Sequence, residues 1–141
     1  MGSFNSFGST TKTYGAGKNI WHEIKGAYPV GGTISNLSDF AVGSVIPAGS
    51  MCVYDEVAAT IKIAKATDIK TTTNTGGTVE PKTVKGLLRD DIYVDEAVKS
   101  TTGAATGSVV FAGEIYSSRC AEAIPDEVFA VLPMIVAIKE A

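Results

Sequence analysis

From Gly107 to Ile115 the chain reads Gly-Ser-Val-Val-Phe-Ala-Gly-Glu-Ile, an apolar run with a glycine near each end. Extended, it puts Val109, Phe111, Gly113 and Ile115 on one side and Val110, Ala112, Glu114 and Tyr116 on the other. Both sides stay apolar until Glu114, which predicts a central strand covered on two faces. An earlier stretch, Gly43-Ser44-Val45-Ile46-Pro47-Ala48-Gly49-Ser50-Met51, repeats the glycines, the Ser-Val pair and the alanine. Within it Pro47-Ala48-Gly49 predicts a turn, because proline pre-sets φ and glycine accepts a positive one.

The same patterning predicts further strands at 51–54, 60–65, 84–88 and 92–94. In the second of these Ile61 and Ile63 oppose Lys62. Residues 19–25 alternate Ile20, His22 and Ile24 against Trp21, Glu23 and Lys25, which predicts a strand with one apolar face. Single helical turns are expected near 36–40 and 117–123. Pro125 followed by Asp126 and Glu127 starts a short helix with Val128, Val131 and Leu132 as its apolar stripe, stopped by Pro133. Residues 134–138 then close the chain as a buried strand. The fold class expected is mainly β, a compact antiparallel β-sandwich or barrel-like domain with one or two short helices and an extended N-terminal arm. The arm is assigned to residues 1–25, a connecting segment to 26–42 and the β-rich domain to 43–141.

Composition sharpens this picture. A chain of 141 residues supports one core rather than two domains. With 45% hydrophobic and 19% charged residues, global disorder is not expected, and Ser, Thr, Gly and Ala must cover much of the surface. Such a surface suits close contact with other proteins. Net charge is −3 and the lysines are scattered, so no basic patch for nucleic acid is expected. The greasiest stretch, 128–138, is broken by Pro133 and is too short to span a bilayer. With no basic, apolar leader at the start, a soluble protein made in the cytoplasm is expected.

Candidate chemistry is sparse. Cys52 and Cys120 are too few for a disulfide framework; both read as small buried hydrophobes, and a bond between them is left open. His22 is the lone histidine and has no carboxylate pair nearby in sequence, so it reads as an ordinary polar residue. A Cys52 nucleophile with His22 as base would require a buried and an exposed group to meet. The Thr/Gly loop at 71–77 lacks the Gly-Lys-Ser/Thr ending of a phosphate cradle. Asp90, Asp91, Asp95 and Glu96 lack the spacing of a calcium loop and read as solvated turn acids. No catalytic residue, cofactor or metal is expected.

The first eighteen residues are rich in Gly, Ser and Thr, yet carry Phe4, Phe7 and Tyr14. Large apolar rings in such a segment seek burial, either on a partner or back on their own domain. Trp21 is either core or a contact anchor.

In order, the chain presents a Pro-Ala-Gly turn (47–49), a short strand, a polar loop and a Gly86-Leu87-Leu88 strand. A Val-x-x-x-Gly-Glu-Ile strand (109–115) follows, then a short helix closing on Leu132-Pro133-Met134-Ile135. Over residues 43–141 this resembles the head decoration and head fibre proteins of tailed bacteriophages. The resemblance implies a small β-rich, usually trimeric domain on the outer surface of an icosahedral head, bound to the major capsid protein lattice. In such proteins an N-terminal arm commonly makes the capsid contact. Here that implies contacts through Phe4, Phe7, Tyr14, Trp21 and His22. The N-terminal portion is longer than in the smallest decoration proteins. A carbohydrate- or receptor-binding β module on a phage or cell surface is the alternative expectation.

Overall fold

A computed structural model describes residues 19–100 and 105–138. Phe4, Phe7 and Tyr14 lie outside these residues. The chain runs through β1 (Trp21–Ala27), β2 (Gly32–Ile34), β3 (Val45–Ile46), β4 (Met51–Asp55), β5 (Thr60–Ala64), β6 (Gly86–Leu88) and β7 (Ile92–Tyr93). It continues through α1 (Glu96–Ser100), β8 (Thr106–Gly107), β9 (Val109–Tyr116), α2 (Asp126–Val131) and β10 (Ile135–Ile138). Single 3-10 turns at Leu37–Asp39 and Ser117–Arg119 fall where isolated helical turns are expected. The protein is mainly β, a curled sheet forming a half-barrel, with strand order β1-β9-β6-β4-β5-β2-β8. β10 adds to β9, and β3 and β7 form a separate two-stranded ribbon. Two pairings, β2 with β5 and β10 with β9, run parallel, and the others are antiparallel.

The two-sided strand β9 holds this arrangement together. β1 lies along one edge of it, while β6 and then β10 share the other. Its two faces feed two hydrophobic clusters, one on each side of the sheet. Val110, Leu87, Met51 and Ala64 are paired across neighbouring strands and all enter the first cluster. Their immediate neighbours Val109, Leu88, Cys52 and Ile63 all enter the second. The alternation of the strands therefore continues as rows across the sheet, each row committed to one core.

Two glycines are required by geometry. Gly49 has φ +86° in the Pro47 turn, where the Ser50 amide donates to the Pro47 carbonyl at 3.2 Å. At Gly113 a Cβ would stand 2.5 Å from the Glu23 carbonyl oxygen, so only glycine lets β1 close on β9 there.

Several boundaries differ from the sequence expectation. Among the described residues the body already includes Ile20 and does not wait until 43: β1 and β2 both belong to the main sheet, so 21–25 is not arm and 26–42 is more than a connection. The reason is pairing, since β1 supplies the partner for the full outer edge of β9. The expected apolar face of 19–25 also fails. Ile20 and Trp21 are both buried, and Ile24 is exposed, because register shifts within β1 reset its alternation. In α2, Val128 and Leu132 are buried but Val131 is exposed. β10 is an edge strand with Val136 exposed, rather than a buried one, because it has a neighbour on one side only. Among the described residues no helix is long and apolar enough to cross a membrane.

Candidate functional site

The segment at the start of β1 is fixed by Trp21. Its indole Nε1 donates to the Arg89 carbonyl at 3.0 Å, and its ring is buried in the first cluster. Trp21 is therefore core, not an exposed contact anchor. The register passes from Trp21 opposite Ile115 to Glu23 opposite Glu114, which leaves His22 as the extra residue of a bulge. Bulges re-aim side chains, and here the imidazole stands in solvent.

Around His22 the strands assemble a polar patch. Its Nδ1 lies 2.8 Å from the Tyr116 hydroxyl, with the rings edge-on at 84°. Its Nε2 lies 3.7 Å from Glu114, whose other oxygen is 3.7 Å from Lys25 Nζ. The Arg119 guanidinium sits 4.2 Å from the centroid of the Tyr116 ring and donates to the Asn19 carbonyl at 2.8 Å. These are half-exposed groups, each pair worth about 0–1 kcal/mol. They orient one another for a polar contact on an open face.

Beside this patch runs an open groove of about 700 Å³, walled by residues 19–24 on one side and by Arg89, Asp90, Asp91 and Tyr93 on the other. The second wall is held in place from beneath: Asp91 Oδ1 accepts the Ala48 amide at 2.7 Å, and Arg89 pairs with Asp90 at 3.8 Å. Tyr93 is about half-exposed on the β7 ribbon. The groove draws on four stretches that are distant in sequence, around residues 19–24, 47–48, 89–93 and 119–121. Sequence reasoning missed it for that reason; the bracketing of Tyr93 by acids and arginine was the only local signal.

Of the sequence candidates among the described residues, His22 is displayed on this surface, Trp21 is buried beneath it, and Asp90 and Asp91 stand in the groove's second wall. Cys52 is fully buried on β4, three strands from β1 and so roughly 14 Å away by strand spacing. Burial raises the pKa of its thiol strongly. The structure does not bring Cys52 and His22 together. Cys52 and Cys120 are both free and pack in different clusters. Two of the turn acids are tied to backbone amides: Asp95 Oδ1 accepts from Val98 N at 2.7 Å at the start of α1, as Asp91 does from Ala48. Among the described residues no group of three or more His, Cys, Asp or Glu side chains is placed to hold a metal ion.

Comparison with protein-family models, with curated proteins and with solved structures gives no match, so the likeness to phage head proteins stands on the sequence motifs quoted above.

Proposed function

We propose that this chain is a structural virion protein. In this reading it binds the major capsid protein lattice on the outer surface of a phage head and decorates or stabilises it without catalysis. The observation that carries the proposal is the way β1 is built into the body. Seven residues of β1 lie along β9, and Trp21, the first of them, is bonded to the Arg89 carbonyl. A force along the axis of β1 would load a row of sheet hydrogen bonds together, which suits a fastener. Phe4, Phe7 and Tyr14 supply apolar groups for pockets on a lattice, and the His22 patch supplies polar contacts. If three copies act as one trimer, the second and third attachments gain from high effective concentration, raising overall affinity on the order of 10²–10⁴-fold.

Co-sedimentation with expanded, empty heads tests the proposal. The full chain is expected to pellet with heads, and a variant lacking residues 1–18 to stay in the supernatant while remaining folded. Failure of the full chain to bind any head overturns the capsid reading. Equal binding by the truncated protein moves the contact away from the arm.

The groove favours one second reading, a carbohydrate-binding module. A half-exposed Tyr93 among Asp90, Asp91 and Arg89 offers a ring for a sugar face and planar groups for its hydroxyls. Glycan-array binding that is lost in Tyr93→Ala would favour it over decoration.

A further inference from the structure

A second apolar hollow lies on another part of the surface. It measures about 310 Å³ and is lined by Tyr28, Phe111, Val131 and Met134, with Lys82 and Lys85 beside them. Met134 is 61% exposed, and neither lysine takes part in an ion pair among the described residues. From this hollow a line of aromatic rings leads away. Phe111 stands 5.0 Å from Tyr28, and Tyr28 stands 4.9 Å from Tyr54. The Tyr54 hydroxyl donates to the carbonyl of Val30, itself an exposed apolar residue.

Beyond Tyr54, β4 runs straight into Asp55, Glu56 and Val57 at the turn to β5. Val57 is 99% exposed. It is not on a loose loop: Asp55 Oδ1 accepts the amides of Val57 and Ala58 at 3.0 and 3.1 Å, which sets the turn. Glu56 lies close enough to Tyr28 that, after burial, its charge helps raise the phenol's pKa. Tyr54 is itself buried in the second cluster, so half-buried Tyr28, which lines the hollow and lies near Glu56, joins the hollow to the turn. One end is an apolar hollow with two lysines, the middle is aromatic, and the other end is an apolar knob flanked by two acids.

We propose that this face docks a second copy of the same chain, with Val57 of one copy entering the hollow between Val131 and Met134 of the other. Lys82 and Lys85 of the receiving copy then meet Asp55 and Glu56 of the incoming one. Each copy carries both halves of the match, which makes self-association the occupant that the charges favour. Because every copy offers one end of each kind, two copies related by a twofold axis can each place Val57 in the other's hollow, which closes the assembly as a symmetric oligomer. The inference does not depend on the capsid reading, since it requires no partner but the chain itself.

Sedimentation equilibrium of the full chain over a concentration series tests this. The expected result is a discrete multiple of 14.6 kDa that dissociates on dilution and weakens with added salt. Lys85→Glu and Glu56→Lys should each weaken association on the order of tenfold or more, and the double exchange in one chain should restore it. Val57→Asp should weaken it too, at a position too exposed to affect folding. A monomer at every concentration overturns the proposal. So does an oligomer indifferent to Val57→Asp and to the single reversals, or a double exchange no better than either reversal alone.

Discussion

An indole is large enough to serve as core or as a contact anchor, and its N–H helps decide between them, because a buried donor needs an acceptor. In this chain the acceptor is the Arg89 carbonyl, 68 residues away, so Trp21 is committed to the interior. Trp21→Phe keeps most of the apolar volume but removes that bond, and is expected to cost about 1–2 kcal/mol of unfolding free energy in urea titrations. Were Trp21 instead a docking group, the same variant would unfold like the parent and lose binding alone. Cys52 makes a parallel case through its proton. Burial raises the folded thiol's pKa, while the unfolded thiol ionises near the ordinary value of about 8.5. Below that pH both states hold the proton and stability is unaffected. Above it only the unfolded chain releases the proton, so stability falls by up to ~1.4 kcal/mol per pH unit until the folded thiol also ionises. Urea midpoints measured from neutral to alkaline pH should decline for the parent and decline less for Cys52→Ala. At neutral pH a thiol reagent should modify half-buried Cys120 first and reach Cys52 only as the protein unfolds.

At the scale of elements, what was legible in the sequence was what local chemistry decides alone. β9 is apolar on both sides because it must feed two clusters, and no other arrangement uses Val109 and Val110 together. The turn at Gly49 follows from one proline and one positive φ. The likeness between 43–51 and 107–115 does not extend to structure, since Pro47 lacks the N–H that a central strand must donate. The first copy therefore breaks into β3, a turn and β4, while the second runs unbroken as β9 from Val109 onward. α1 was hidden because it is one short turn, although Asp95 ahead of Glu96 and Ala97 is a capping signal. The burial of β10 and the facing of β1 depended on neighbours rather than on composition. Apolar residues at 134–138 say nothing about whether a strand has one partner or two, and a bulge at His22 is invisible to alternation. Of the candidate site, Trp21, His22, Asp90 and Asp91 could be singled out from sequence but not brought together, and the partners of His22, Tyr116 and Glu114, arrive from the far end of the chain.

For the molecule as a whole, the location of the body's first residue separates a tether from a structural strand, and truncations read it directly. On the tether reading residues 1–18 add nothing to the body, whereas β1 covers the whole outer edge of β9 and brings Ile20 and Trp21 into the first cluster. Removing residues 1–18 is therefore expected to leave the melting temperature within a few degrees of the parent. Removing 1–27 deletes two buried side chains, about 1.5–3 kcal/mol or more for each, together with a row of sheet bonds. That is comparable with the total stability of a small domain, about 5–15 kcal/mol. It also bares the edge of β9, whose apolar residues would then template association between chains. Calorimetry and light scattering on the two truncations should therefore diverge sharply, the shorter deletion melting as the parent does and the longer one aggregating or failing to fold. If both melt like the parent, β1 is dispensable, and the anchored strand on which the fastening role depends is not there. If the shorter deletion already collapses, the body extends into residues 1–18 and they are no tether.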